Sequence, residues 1–266
     1  MLGGLTFDGI FAVFGPWIIT FTLISVRVGA LFLTTPALSM QSIPMTIKGA
    51  IVAILCVLAM STMNPSLELA ALTPLQLVAV ALVEAVVGGV MGLAVMMFFA
   101  AVSFTGNLIG IQMGFAIANV VDPSTNQQNG ILSQVLNLMA LALFITLDGH
   151  IVMLQALFQS FDIIPLGAAA IQTQPLMGEL ITMGSDIFSL GLKMGLPVIC
   201  VVLLVNVGLA TLARTVPQVN IFVLGFLITI SIGLLILGMA MPSLGQLFQR
   251  LMLQSIEAGV GLLKYF

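Results

Sequence analysis

The chain alternates between long apolar runs and short polar or proline-marked breaks. A helix that spans a bilayer needs about 20 mainly apolar residues. Runs of that kind lie at Ile10–Leu33, interrupted by Arg27, at Ile43–Met63, and at Leu75–Ser103, which carries Glu84 and is long enough to tilt or kink. Ile131–Leu147 is a fourth, and Ile151–Phe158 continues its helical path after a break. Ile181–Ala213, with Lys193 and Pro197 inside it, and Ile221–Met241 are the last two. Leu244–Phe266 reads as an amphipathic tail with Arg250, Glu257 and Lys264. The pattern predicts an all-α membrane protein, one helical domain over 1–266, built of kinked and broken helical hairpins.

Proline and polar clusters punctuate these runs. Thr34-Thr35-Pro36 and Ile43-Pro44 bound one short loop, and Asn64-Pro65 and Thr73-Pro74 another. Asp122-Pro123-Ser124-Thr125-Asn126 is a strong turn signal. Pro165, Pro175, Pro217 and Pro242 are expected to mark further helix ends. No stretch between the runs is long or polar enough to link separate soluble domains.

Composition strengthens this picture. Hydrophobic residues make up 61% of the chain and charged residues only 6%, against about 25% charged in an average soluble domain. So few charges cannot cover a water-facing surface, and the mean hydropathy of +1.28 agrees. Six Lys+Arg against nine Asp+Glu leave no basic patch to follow a phosphate backbone, which excludes nucleic acid as a partner. The sparse charges also vote both ways on orientation. Arg27 and Lys48 flank the first loop and place it on the cytoplasmic side, but Arg214 and Arg250 lie at opposite ends of one helix. No Lys or Arg precedes Arg27, so the first run lacks the basic segment of a signal peptide and is expected to remain as a helix.

Catalytic chemistry finds no foothold. The sequence has no Gly-x-Ser-x-Gly, His-Glu-x-x-His or Walker A motif, and His150 is its one imidazole. Asp148-Gly149-His150 reads as a helix-end turn, with Gly149 just beyond the helix C-terminus. One His and two distant cysteines give no metal-ligand spacing, and no cofactor is expected. Cys56 and Cys200 sit inside apolar runs, where small reduced packing residues are expected.

Two groups of residues remain. Arg27, Glu84 and Lys193 are ionisable groups within apolar runs. Charge at mid-bilayer costs at least about 2.5 kcal/mol, so such groups face protein or water. They form either a proton or ion relay or a set of structural and subunit contacts. A relay usually shows more carboxylates along one path. The second group is a glycine series. Gly88-x-x-x-Gly92, Gly106-x-x-x-Gly110-x-x-x-Gly114 and Gly191-x-x-x-Gly195 place small residues on helix faces that allow close approach in lipid. The 106–114 series costs a helix about 1 kcal/mol per glycine relative to Ala. It is a close-packed helix or a non-helical loop buried in protein. The 17 methionines suit a deformable constriction or ordinary gap filling.

Several motifs, in order, resemble one known family. Gly106-Asn107-Leu108-Ile109-Gly110-Ile111-Gln112-Met113-Gly114-Phe115 followed by Val121-Asp122-Pro123 looks like the central signature of the FliR family. So do Leu136-Asn137-Leu138 leading to Leu147-Asp148-Gly149-His150, then Phe161-Asp162-Ile163-Ile164-Pro165-Leu166-Gly167, then Val216-Pro217-Gln218-Val219-Asn220-Ile221-Phe222. The resemblance runs from about Phe7 to Pro242. The injectisome counterpart is the SctT family, and the flagellar member fits better. Inside it, Leu196-Pro197 through Gln218-Val219-Asn220 to Ala240-Met241-Pro242 is similar to FliQ, two apolar helices joined by a turn. That turn is here marked by Pro217, Gln218 and Asn220.

The resemblance implies a FliP-like part over about 1–180 fused to a FliQ-like helical hairpin and tail over about 181–266. It implies a non-enzymatic, structural and gating subunit of the flagellar type III export gate in the bacterial inner membrane and flagellar basal body. One copy would sit in a ring with FliP-like and FliQ-like subunits, meet an FlhB-like subunit, and pass unfolded flagellar proteins. It further implies a pore plug between Gly106 and Asp122, using Ile109, Gly110, Ile111, Gln112, Met113, Gly114 and Phe115. The competing class is a secondary transporter with a midplane site on broken helices. That class calls for paired repeats, and the break at 106–114 has no clear partner in the other half.

Overall fold

The computed structural model describes residues 7–36, 44–62, 72–115, 130–168, 172–215 and 221–266. Among these the regular elements are helical: α1 Phe7–Thr34, α2 Met45–Thr62, α3 Pro74–Gln112, α4 Ile131–Thr146, α5 Gly149–Ile163, α6 Thr173–Thr215 and α7 Ile221–Leu262, which ends in a 3-10 turn at Leu263–Tyr265. Four of them are long and apolar enough to cross a membrane, or up to five if α4 and α5 count as one broken span. The protein is an all-α membrane protein, as the long apolar runs predict.

The helix ends teach more than the helices. α3 runs nine residues beyond the Ser103 boundary expected from hydropathy, because Thr105, Asn107 and the glycines at 106 and 110 are all helical. Pro242 does not end a helix. It lies inside α7, and the expected separate tail Leu244–Phe266 is the continuation of that helix. Pro175 also lies within a helix, in the first turn of α6, where a missing N–H costs nothing. Between α4 and α5 the left-handed residue is Asp148, with φ 56°, not the glycine beside it. Asp tolerates this conformation better than most residues. Gly149 is instead the first residue of α5. It is chosen for space, since a Cβ there would lie 2.8 Å from the Met252 sulfur and 2.9 Å from the Phe144 carbonyl.

At 1.5 Å per residue, α3, α6 and α7 are about 58–65 Å long. That is roughly twice the apolar thickness of a bilayer. Hydropathy alone therefore marks them as spans without saying which half of each lies at membrane depth.

Contacts gather the chain into two compact units. The first comprises Met1–Met96, His150–Leu180 and Gln254–Phe266. In it α1 packs on α2, with the Ser25 hydroxyl 3.4 Å from the buried Cys56 sulfur. α1 also meets α3 where glycine removes the side chain. A Cβ on Gly88 would collide with the Arg27 carbonyl, and one on Gly92 with the Thr34 hydroxyl. The chain's last turn is tied in as well: the Gln172 N–H donates to the Tyr265 carbonyl at 2.7 Å, and the Tyr265 hydroxyl to Glu179 at 3.1 Å.

The second unit comprises Met97–Gly149 and Ile181–Leu253. Its core is aromatic and aliphatic. Phe98 meets Phe99 and Phe248 edge-on, and Phe99 meets Phe144. Ile109, Met113, Leu136, Met194, Val198 and Val202 are fully or almost fully buried around them.

Candidate functional site

In the first unit, Arg27 and Glu84 come together, as two opposite charges in apolar helices must. The Arg27 Nε donates to Glu84 Oε2 at 2.6 Å, with 0% and 1% of the two side chains exposed. The rest of the guanidinium turns to the end of α5. Nη1 donates to the Ser160 carbonyl at 3.0 Å and to its hydroxyl at 3.2 Å, and Nη2 donates to the Ile164 carbonyl at 3.1 Å. Glu84 Oε1 accepts the Gly167 N–H at 3.2 Å. The Phe161 ring lies 4.4 Å from the guanidinium carbon.

This cluster caps α5 with a side chain from a distant helix. The last carbonyls of a helix have no partners of their own and carry partial negative charge. Arg27 answers one of these and a helix carbonyl beside it, while Glu84 answers an N–H in the turn that follows. Pro165 and Gly167, with φ 78°, give that turn its shape. Both carboxylate oxygens are engaged, and the pair lies out of reach of water. The arrangement ties together α1, α3 and the end of α5. Lys193, grouped with these residues by hydropathy, is no part of the cluster. It stands exposed on α6.

The second unit contains the Gly106, Gly110 and Gly114 series. Gly106 to Gln112 form the last turns of α3 rather than a loop. Of the close-packed helix and the buried loop left open for this series, the helix is found as far as Gln112, in place of a plug loop starting at Gly106: within the described residues the chain leaves the helix only at Met113. A Cβ on Gly106 would strike the Ser133 backbone of α4. Polar side chains tie that crossing. The Ser133 hydroxyl donates to the Ser103 carbonyl at 3.1 Å, Asn137 Nδ2 to the Ser103 hydroxyl at 2.6 Å, and the Gly130 N–H to Asn107 Oδ1 at 3.2 Å. Against α6, Thr105 donates to the Gly191 carbonyl at 3.0 Å, and Gly191 leaves room for Phe104.

α3 ends in a Schellman cap. The Phe115 N–H bonds the Gly110 carbonyl at 2.9 Å and the Gly114 N–H bonds the Ile111 carbonyl at 3.1 Å, with Gly114 at φ 89°. α7 grips this end. The Met113 side chain fills the space over Gly233, where a Cβ would be 2.7 Å from its methyl, and the Thr229 hydroxyl donates to the Met113 carbonyl at 3.2 Å. Of the bulky residues expected to fill a pore, Ile109 and Met113 are therefore buried in this unit, Phe115 is half-buried, and Ile111 is 62% exposed. Gln112 is half-buried. Asp122, Pro217, Gln218 and Asn220 lie outside the described residues.

Sequence reasoning missed Ser160, Ile164 and Gly167 as partners of the ion pair, and Thr229 and Gly233 as partners of Met113. Backbone carbonyls leave no trace in a sequence, although the Pro165 to Gly167 turn hinted at a fixed end. Both cysteines are free; Cys56 is buried and Cys200 is exposed within the chain. Among the described residues, no three His, Cys, Asp or Glu side chains gather as metal ligands. His150 Nδ1 and Thr20 Oγ1 are buried without a hydrogen-bond partner there.

Residues 18–255 match the model of the family described as bacterial export proteins, family 1. The chain is 34% identical over 229 residues to the flagellar biosynthetic protein FliR of Pectobacterium carotovorum subsp. carotovorum, covering 85% of each chain. It is 32% identical to FliR of Escherichia coli (strain K12), covering 81% of this chain and 82% of the other. It is also 32% identical to FliR of Bacillus subtilis (strain 168), covering 83% and 85%. These relatives are named for flagellar biosynthesis and not as enzymes. With its apolar helices and this kinship over most of its length, the chain belongs to the FliR family of bacterial export proteins and is a flagellar biosynthetic export protein of the membrane.

Proposed function

We propose that this chain is a structural and gating subunit of the flagellar type III export gate. It forms, with FliP-like and FliQ-like subunits, the pore for unfolded flagellar proteins across the bacterial inner membrane. The observation that carries this is the match to FliR proteins over more than four-fifths of the chain. The exposed apolar surface supports it. Only 17% of the most apolar stretches of α6 and α7 is buried within the chain, and Ile181, Leu204 and Met239 are each about 70% exposed. Those faces need lipid or other subunits. The division near residue 180 into a FliP-like part and a FliQ-like hairpin, a single copy per ring and an FlhB-like neighbour belong to the same proposal.

The gating part of the proposal rests on the end of α3. Its packed side holds Ile109 and Met113, which leaves Ile111, Gln112 and Phe115 as the groups to face a pore. An apolar group in a narrow passage excludes water and shuts it to ions. The saturated Arg27–Glu84 pair serves assembly in this scheme and carries no ions.

The experiment is co-expression with FliP-like and FliQ-like proteins, gentle-detergent purification and mass measurement of the intact particle. The expected result is a large particle containing both partners and one copy of this chain. A stable, monodisperse monomer that ignores both partners would overturn the proposal.

A further inference from the structure

Within the second unit, α6 buries one face and leaves the other bare. Gly191, Met194, Gly195, Val198 and Val202 are buried, at the three- and four-residue spacing of a packed stripe. Asp186, Ser189, Lys193, Leu196 and Cys200 are exposed. Seven residues make almost two full turns, so Asp186, Lys193 and Cys200 stand nearly in line along the bare face. Phe188, Leu192 and Leu196 flank Lys193 and are 62%, 48% and 42% exposed. Among the described residues, neither the Asp186 nor the Lys193 side chain makes a hydrogen bond or salt bridge.

Pro197 adds a second polar demand at the same place. It lies inside α6 and has no N–H to give to the Lys193 carbonyl, four residues earlier. An ammonium group and its own backbone carbonyl thus stand together on a bare turn among large apolar side chains. At membrane depth lipid would satisfy neither of them.

We propose that this face of α6 docks a helix of a partner subunit, one that sets a carboxylate against Lys193 and a cation against Asp186. The inference rests on the multi-subunit reading above. Opposite charges about 10 Å apart along one helix meet their complements in a single register and direction. Phe188, Leu192 and Leu196 supply the close apolar contact between them. Charge pairs of this kind set partner choice and alignment more than raw affinity.

The test uses the full chain co-expressed with FliP-like and FliQ-like subunits, with photoreactive p-benzoylphenylalanine in place of Leu192. A cross-link to a partner helix with a carboxylate within one turn is expected. Lys193→Glu should lower recovery of that partner at least tenfold and Lys193→Arg less than twofold. Replacing the partner's carboxylate with Lys should restore the Lys193→Glu complex. In a Cys56→Ala, Cys200→Ser background, Lys193→Cys should be shielded from a membrane-impermeant thiol reagent once the complex forms. An assembled complex that cross-links only to lipid at this position, or whose Lys193→Cys reacts as fast as a free thiol, would overturn the docking surface and leave the export-gate reading intact. Failure of the unaltered chain to assemble with either partner would overturn both.

Discussion

The first unit adds a buried arginine and glutamate to its glycine contacts at Gly88 and Gly92, whereas the described crossings of the second rest on glycine, hydroxyl and amide groups without an ion pair. In the first, Arg27 and Glu84 reach across three segments and answer backbone groups that belong to none of the helices they sit on. In the second, Gly106, Gly191 and Gly233 strip side chains from crossing points, and Ser133, Asn137, Thr105 and Thr229 make local bonds there. The two solutions fail differently. An ion pair that loses one member leaves a stranded charge, and the loss is large. A glycine seam fails by degrees, according to how far the neighbour can give way.

The largest effect is expected at Glu84. Glu84→Ala leaves Arg27 uncompensated at 0% exposure, a loss of about 3–5 kcal/mol, read as a collapse in yield and melting temperature of the purified complex. The double replacement Arg27→Met, Glu84→Leu should be more stable than Glu84→Ala alone. If Glu84→Ala melted like the unaltered protein while export lost its dependence on the proton gradient, the pair would be a relay after all.

Next comes Gly106→Ala, whose new methyl meets Ser133 backbone rather than a flexible side chain. Overpacking of this kind costs about 1–3 kcal/mol, measured as a lower melting temperature. Gly233→Ala should cost less, about 1 kcal/mol at the low end of the same range, because its neighbour is the mobile end of Met113. The Gly233→Ala loss should shrink in a Met113→Ala background, a coupling that a double-mutant cycle reads directly. Equal losses at Gly106 and Gly233 would erase the distinction between rigid and yielding neighbours.

The smallest effect on stability, within about 0.5 kcal/mol, is expected for Ile111→Ser on the exposed side of α3. Its readout is different: ion leakage through the assembled complex, measured as conductance or ion-sensitive growth. An Ile111→Ser complex as tight as the unaltered one would remove the plug role from this end of α3. Deleting Ile109–Phe115 is a poorer test, because it also removes Met113 from its place over Gly233.

How much of this was legible in the sequence depended on whether the signal was carried by side chains. Apolar runs placed each described helix, since lipid-facing and packed faces are both written in side-chain hydropathy. Their ends were misplaced at Ser103, at Pro242 and at the start of α6. Small residues lower hydropathy without breaking a buried helix, and a proline can be kept where packing holds the turn. The Arg27–Glu84 pairing was foreseeable from two opposite charges in apolar helices. Its carbonyl partners were not, because Ser160 and Ile164 contribute groups that every residue has. The glycines at 106 and 114 looked alike in spacing. Only the backbone shows that the first makes room for α4 and the second ends a helix at φ 89°.

The ion pair also has a history during synthesis. Arg27 precedes Glu84 by 57 residues and Ser160 by 133. At roughly 5–20 residues per second of translation, Arg27 waits about 3–11 s for its carboxylate and about 7–27 s for the end of α5. For the first of these intervals α1 carries a charge with none of its final partners yet made, and for the rest it has Glu84 alone. The first helix therefore cannot settle early as a finished span. Its full set of partners is complete only once Ser160 and Ile164 have followed.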